Sequence, residues 1–324
     1  MNGLDPNEVR FFSGSSNRQL AAGIAAHLGV PLDETHISRF SNDNLYIQLG
    51  ATVRSRAVYI VQSLSPPVND HLVELLMMLD IARGAAAKEV HAIVPYFSFA
   101  RSDKKDAPRI SITARLVADL LQTAGATHVM TMMLHSPQVH GFFGIPTDPL
   151  TARPVFEEHF RDRDLSDTIV VAPDVGHLKS AARFADGLGL PVAAGNKERI
   201  SDTQVQISGL VGRQVRGYRR ALIYDDEIAT GSSVLELCRV LLENGIQEIW
   251  AMCTHGVFTG RALEKLTAVP QITEIVITDT VYIPPEKRPP QLRVVSVARI
   301  FGEAIRRNYL HQSISDLFVS GQEK

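Results

Sequence analysis

Short apolar runs alternate with amphipathic stretches along most of the chain. VRFFSGSS (9–16), VYIVQS (58–63), EVHAIVPYF (89–97), HVMTMML (128–134), TIVVAPD (168–174), RALIYDD (220–226), EIWAMCTH (248–255) and EIVITDT (274–280) predict strands. Between them NRQLAAGIAAHLG (17–29), NDHLVELLMMLDIARGAAA (69–87), ITARLVADLLQTAG (112–125), GHLKSAARFADGLG (176–189) and SSVLELCRVLLENG (232–245) predict helices. The first of these closes on Gly29, and the second opens on an Asn or Asp cap. Several strands are apolar almost without interruption, as expected where helices cover both faces of a parallel sheet. The fold class is therefore α/β.

The pattern also repeats. LLQTAGATHVMTMMLH (120–135) and LLENGIQEIWAMCTHG (241–256) each run helix end, glycine, strand, histidine, so that Gly125 matches Gly245 and His135 matches His255. A duplicated domain is expected, with its break near PTDPLTARP (146–154), a stretch rich in proline and turn residues. The expected domains are 8–150 and 151–318. Each is a mostly parallel sheet flanked by helices.

Composition narrows the setting. The 324 residues carry 33 basic and 35 acidic side chains, a net charge of -2, and 45% hydrophobic residues. That balance supports ordinary cores and leaves no electrostatic footprint for nucleic acid. The basic cluster RGYRR (216–220) reads as a solvated face. Cys238 and Cys253 lie in apolar runs and read as buried thiols, with no disulfide framework or zinc spacing. The first residues, MNGLDPNEVR, lack a signal pattern, and no apolar stretch is long enough to span a bilayer. A soluble cytoplasmic protein without nucleic-acid or membrane partners is expected.

The stretch ALIYDDEIATGSS (221–233) carries the most specific chemistry. In an open parallel sheet, ligands sit beyond the carboxyl ends of strands. Here a strand ending in Asp225 and Asp226 passes through Ala229, Thr230 and Gly231 into a helix opened by Ser232 and Ser233. Backbone N–H groups at the helix start and three hydroxyls make an anion cradle suited to phosphate. The two acids would repel phosphate, but they accept hydrogen bonds from sugar hydroxyls or hold a hard cation. The two halves together suit a phosphorylated sugar. A plain N-cap explains a Ser or Thr at this place, but it does not call for two acids at the end of an apolar strand.

DDEIATGSS resembles the phosphoribosyl-diphosphate loop of the phosphoribosyltransferase superfamily. RFSNDN (39–44), PYFSFARSDKKD (95–106), HSPQVHGFFGIPTDPL (135–150), KER (197–199) and SISDLF (313–318) narrow the resemblance to ribose-phosphate diphosphokinase, from about Val9 to Phe318. That family moves a diphosphoryl group from ATP to the anomeric hydroxyl of ribose 5-phosphate, and AMP leaves. The resemblance implies two phosphoribosyltransferase-type domains, with Asp174, Asp225, Asp226, Ala229, Thr230, Gly231, Ser232 and Ser233 binding ribose 5-phosphate. Lys197 and Arg199, which read as a mobile loop after the strand LPVAAG, become transition-state cations. Phe40, Asn42, Asn44, Arg101, Ser102 and Asp106 become ATP-binding residues, with Phe40 stacking on the base in a neighbouring subunit's site. His135 and Asp174 become ligands of Mg2+, the implied cofactor. Arg54 and Arg109 match part of a regulatory phosphate/ADP site. A dimer, or a hexamer built from dimers, is the implied assembly.

The chain departs from the family's pattern at several positions. Asn44 stands where an acid is usual, Ser102 where Gln is, Met133 and Ala229 where Asp is, and Gly176-His177 where a Gly-Gly pair is. The first two point at nucleotide choice, and Met133 and His177 at metal or diphosphate binding. Two further readings share the same loop. One is a catalytically weak relative that regulates a second, more typical synthetase subunit, and the other is a nucleobase phosphoribosyltransferase.

Overall fold

The computed structural model describes residues 4–199, 205–212 and 214–317. Two compact units emerge, each with its own core. The first begins β1 (Val9–Ser13), α1 (Arg18–Leu28), β2 (Thr35–Arg39), β3 (Leu45–Leu49), β4 (Ala57–Val61), α2 (Val68–Gly84). It continues β5 (Glu89–Val94), α3 (Thr113–Ala124), β6 (His128–Met132) and β7 (Thr147–Leu150). Its main sheet has the order β1-β4-β5-β6-β7, and every pairing is parallel. The second unit runs α4 (Arg153–Phe160), β8 (Thr168–Ala172), α5 (Leu178–Gly187), β9 (Val192–Arg199), β10 (Val205–Gly212), β11 (Arg220–Ile228) and α6 (Ser232–Glu243). It ends β12 (Glu248–Gly256), α7 (Ala262–Thr267), β13 (Ile272–Thr278), β14 (Leu292–Val295). Its sheet has the order β10-β9-β8-β11-β12-β13-β14, parallel except for the β9–β10 pair.

The first compact unit ends at Ala152, but it also takes residues 280–282 and the chain from Ser296 onward. The last helix, α8 (Ala298–Tyr309), therefore belongs with the first unit, where the sequence reading grouped it with the second. Its buried face of Ile300, Phe301, Ala304 and Ile305 packs on α1. Tyr309 Oη donates to Glu8 at 2.8 Å.

Some boundaries differ from the pattern reading. α2 starts after Pro67 without a side-chain cap bond, and not at an Asn or Asp cap. β6 stops at Met132, so His135 lies in the bend that follows and not at the strand end. The β2–β3 hairpin, β7, β10 and β14 were not among the strands the pattern named, and β9 runs on from LPVAAG through Arg199. No helix among the described residues is long and apolar enough to cross a membrane.

One polar cluster anchors the start of the second sheet. The Arg163 guanidinium lies 5.2 Å from the Phe160 ring and 5.3 Å from the Trp250 ring. It donates to both oxygens of Glu274, to Oε1 at 3.0 Å, and His159 Nε2 lies 3.3 Å from the same oxygen. Burial raises the Glu274 carboxyl, but the His159 and Arg163 bonds outweigh it and take it down to about 2. A carboxyl held down in this way stabilises the fold above its unfolded value of 4.5, and the contribution disappears as pH falls toward 2. Arg163→Ala is expected to cost about 2 kcal/mol near neutral pH, less than a fully buried pair would, because Arg163 is partly exposed. Urea unfolding should show the gap from wild type shrinking between pH 4.5 and 2.

Candidate active site

β11 carries three consecutive acids. Asp225, Asp226 and Glu227 are all buried. The strand does not stop at Asp226, because Glu227 and Ile228 stay in register with His255 and Gly256 of β12. Alternation along the strand sets Asp225 and Glu227 on one face and Asp226 on the other. The Asp226 N–H donates to Asp225 Oδ1 at 2.8 Å.

Beyond Ile228 the chain turns through Ala229, Thr230 and Gly231 into α6. Gly231 has φ 76°, the left-handed region that glycine enters without penalty. Ser232 keeps a negative φ, so the serine found there costs the backbone nothing. A Cβ on Gly231 would also meet Leu266 at 3.4 Å. Gly231→Ala is therefore expected to lower stability by about 1–2 kcal/mol, read by thermal unfolding. Thr230 Oγ1 and Ser232 Oγ lie 2.9 Å apart, and the Ser232 N–H reaches Thr230 Oγ1 at 3.4 Å. The hydroxyls of Thr230, Ser232 and Ser233 thus stand at the start of a twelve-residue helix, a cradle for an anion.

Asp174 lies two residues past the end of β8 and caps the short turn 175–177, accepting the His177 N–H at 3.2 Å. His177 then bridges two acids, with Nδ1 3.0 Å from Asp174 Oδ1 and Nε2 3.3 Å from Asp226 Oδ1. Burial lowers the imidazole, but the bonds to Asp174 and Asp226 dominate and push it up to about 11. Burial and the neighbouring Asp226 charge push the Asp225 carboxyl well above its ordinary value, against the pull of His177. Asp174 and Asp226 thus converge on one held positive charge. Hard carboxylate oxygens arranged around a cation are the chemistry that magnesium takes.

The backbone of Lys197 and Arg199 lies on β9, in register with Ile207 and Val205 of β10. Where the sequence suggested a loop, the stretch is strand, paired antiparallel with the β10 segment VQISGLVG. The side chains of Lys197 and Arg199 lie outside the described residues.

In the first unit, Arg101, Ser102 and Asp106 lie on the connection leaving the carboxyl end of β5, and His135 on that leaving the adjacent β6. Met133, just before His135, is buried at φ 44°, a backbone that aspartate tolerates better than methionine. Phe40, Asn42 and Asn44 form the tip of the β2–β3 hairpin. Phe40 is 58% exposed and meets the Tyr46 ring edge-on at 5.7 Å. The tip is held by Arg39, which pairs with Asp43 and with Asp70 of α2, both at 2.9 Å. Arg54 and Arg109 are exposed. Sequence reasoning passed over the segment after β12, which touches the loop from behind. Nothing in its composition marks it.

Two family models match the chain. One describes the N-terminal domain of ribose phosphate pyrophosphokinase and covers residues 9–125, and the other describes a phosphoribosyl synthetase-associated domain and covers 203–319. A protein named putative ribose-phosphate pyrophosphokinase from Streptomyces coelicolor is 51% identical, over 96% of this chain and 98% of its own. A ribose-phosphate pyrophosphokinase from Deinococcus radiodurans is 44% identical, over 95% and 97%. The crystal structure of phosphoribosylpyrophosphate synthetase from Mycobacterium smegmatis matches with a TM-score of 0.85 at 34% identity, over 94% of this chain and 99% of that one.

Proposed function

The chain belongs to the ribose-phosphate pyrophosphokinase family, and from that premise we propose that it transfers the diphosphoryl group of ATP to the anomeric hydroxyl of ribose 5-phosphate, releasing AMP. One observation carries the reading. Two buried acids and an anion cradle adjoin on a single strand–loop–helix segment, Asp225 to Ser233. The cradle of Ala229, Thr230, Gly231, Ser232 and Ser233 takes the 5-phosphate, and Asp225 and Asp226 accept from the sugar hydroxyls.

Negative charge builds on the moving group and on the departing AMP, so the task is positioning and electrostatic stabilisation. Lys197 and Arg199 supply positive charge from the β9 arm. Asp174 and His135 are the residues assigned to Mg2+, which when bound neutralises phosphate oxygens and orients them. Arg101, Ser102 and Asp106 serve ATP from the carboxyl end of the first sheet, the end where open α/β sheets take ligands. Asn42, Asn44 and the exposed ring of Phe40 suit a base bound in a neighbouring copy's site, within a dimer or hexamer. Arg54 and Arg109 are assigned to regulation by phosphate or ADP, and the protein is placed in the cytoplasm.

A second reading has one observation of its own. His177 already holds Asp174 and Asp226, which favours a weak relative that regulates a second synthetase subunit. The test is AMP release from ATP and magnesium. The proposal expects AMP only when ribose 5-phosphate is present, and none with ribose. AMP without any pentose phosphate overturns it. Silence despite measured ribose 5-phosphate binding favours the regulatory reading. Pyrophosphate release from phosphoribosyl diphosphate and a nucleobase would mark a phosphoribosyltransferase instead.

A further inference from the structure

The loop 229–231 is held from behind by the segment that leaves β12. The Ile228 carbonyl accepts from both the Val257 and Phe258 N–H groups, each at 3.0 Å, and the Ala229 carbonyl accepts from the Thr259 N–H at 2.9 Å. Each of these carbonyls shares a planar trans peptide with the next residue's N–H, and the two point in opposite directions. Drawing the Ile228 and Ala229 carbonyls toward 257–259 therefore turns the N–H groups of Ala229 and Thr230 the other way, outward from that segment.

Three successive N–H groups face the same carbonyls only if the chain between them leaves the extended form. The turn starts at Gly256, where the Val257 N–H also donates to the His255 carbonyl at 3.2 Å. Phe258 completes it between its own N–H and that of Thr259, with φ 44°, a left-handed conformation that a bulky side chain adopts rarely and at a cost. The neighbouring Gly256 leaves room for the ring. A Cβ there would lie 2.8 Å from Phe258 Cε2 and 2.8 Å from Ile277 Cδ1. Phe258 packs against the second unit's core, which secures the unusual backbone.

We propose, on the reading that this loop takes the phosphate of ribose 5-phosphate, that Phe258 is a positioning residue. Its left-handed backbone holds 257–259 as a latch that aims the Ala229 and Thr230 N–H groups at that phosphate. The ring secures the latch and does not touch the substrate.

Three substitutions at Phe258 separate backbone conformation from packing. Glycine enters the left-handed region freely, alanine with a penalty, and a β-branched residue with the greatest one. The latch therefore orders the Michaelis constant for ribose 5-phosphate as Phe258→Gly below Phe258→Ala below Phe258→Val. The valine variant should rise about tenfold above the glycine variant, the effect of one lost hydrogen bond to a charged group. The constant for ATP should not follow that order. Packing alone predicts the reverse order, because valine fills more of the vacated space than glycine. If Phe258→Val does not fold, the glycine–alanine comparison carries the same contrast.

The reverse order, equal values for all variants, or a parallel rise for ATP each overturns the proposal. Thr230→Glu, which sets a negative charge in the cradle, is measured alongside. If it abolishes ribose 5-phosphate binding while the Phe258 order is wrong, the latch alone is refuted. If it leaves the ribose 5-phosphate constant unchanged, the phosphate is bound elsewhere, and both the site reading and the latch fall.

Discussion

Asp225→Asn is expected to make the protein more stable and less active at once. Asp225 is buried beside Asp226, and both the burial and the like charge disfavour its ionised form, with His177 opposing them in part. A carboxyl whose folded value is raised binds more protons in the folded state. Stability therefore declines as pH rises above the unfolded value of 3.8, until the folded value is passed. Asparagine keeps the shape and removes that slope. Urea unfolding should show the two proteins equal near pH 3.8, with the variant gaining about 1 kcal/mol or more toward neutral pH. On the proposed reading, the same change also replaces the acceptor offered to the sugar hydroxyls. The ratio kcat/KM for ribose 5-phosphate should fall about 100-fold. A variant that is both less stable and fully active would mean that Asp225 is held for structure.

His177→Gly should act in the opposite direction on stability. The imidazole lies 3.0 Å from Asp174 and 3.3 Å from Asp226, and removing it leaves those carboxylates without the partner they share. Asp226 is buried, but His177 and Asp174 are partly exposed, so breaking the pair should cost about 2 kcal/mol near neutral pH, less than a fully buried pair would. Millimolar magnesium should recover part of the loss, because a hard cation can take the place of the lost positive charge. Thermal unfolding of wild type and variant, each with and without magnesium, reads both effects. A magnesium shift no larger in the variant than in the wild type would show that the two acids do not form a cation site.

The strands that face helices on both sides were legible because their apolar runs are long. TIVVA and the ALIY of RALIYDD are buried throughout, as the pattern required. The Thr-Gly-Ser-Ser turn was legible for a different reason, since few roles need small hydroxyl residues a few positions after paired acids at the end of an apolar strand. The β9–β10 hairpin was not, because KER looks like a solvated turn until its pairing with 205–207 is known. The place of α8 beside α1 was hidden as well, because a helix's own periodicity gives the face it buries and not the partner. Phe258 carries no signal at all. Its left-handed backbone, with the ring set close to Gly256, is visible only in the fold. His177 was visible as an unusual neighbour of Gly176, but its two carboxylate partners emerge only when β8 and β11 lie side by side.

Phosphorus NMR of the protein with ATP, magnesium and ribose 5-phosphate tests the proposed reaction most directly. AMP and phosphoribosyl diphosphate should appear in equal amounts, and Lys197→Ala should abolish both. Formation of ADP or free phosphate in their place, or no AMP from a folded protein that binds ribose 5-phosphate, would contradict diphosphoryl transfer by this chain.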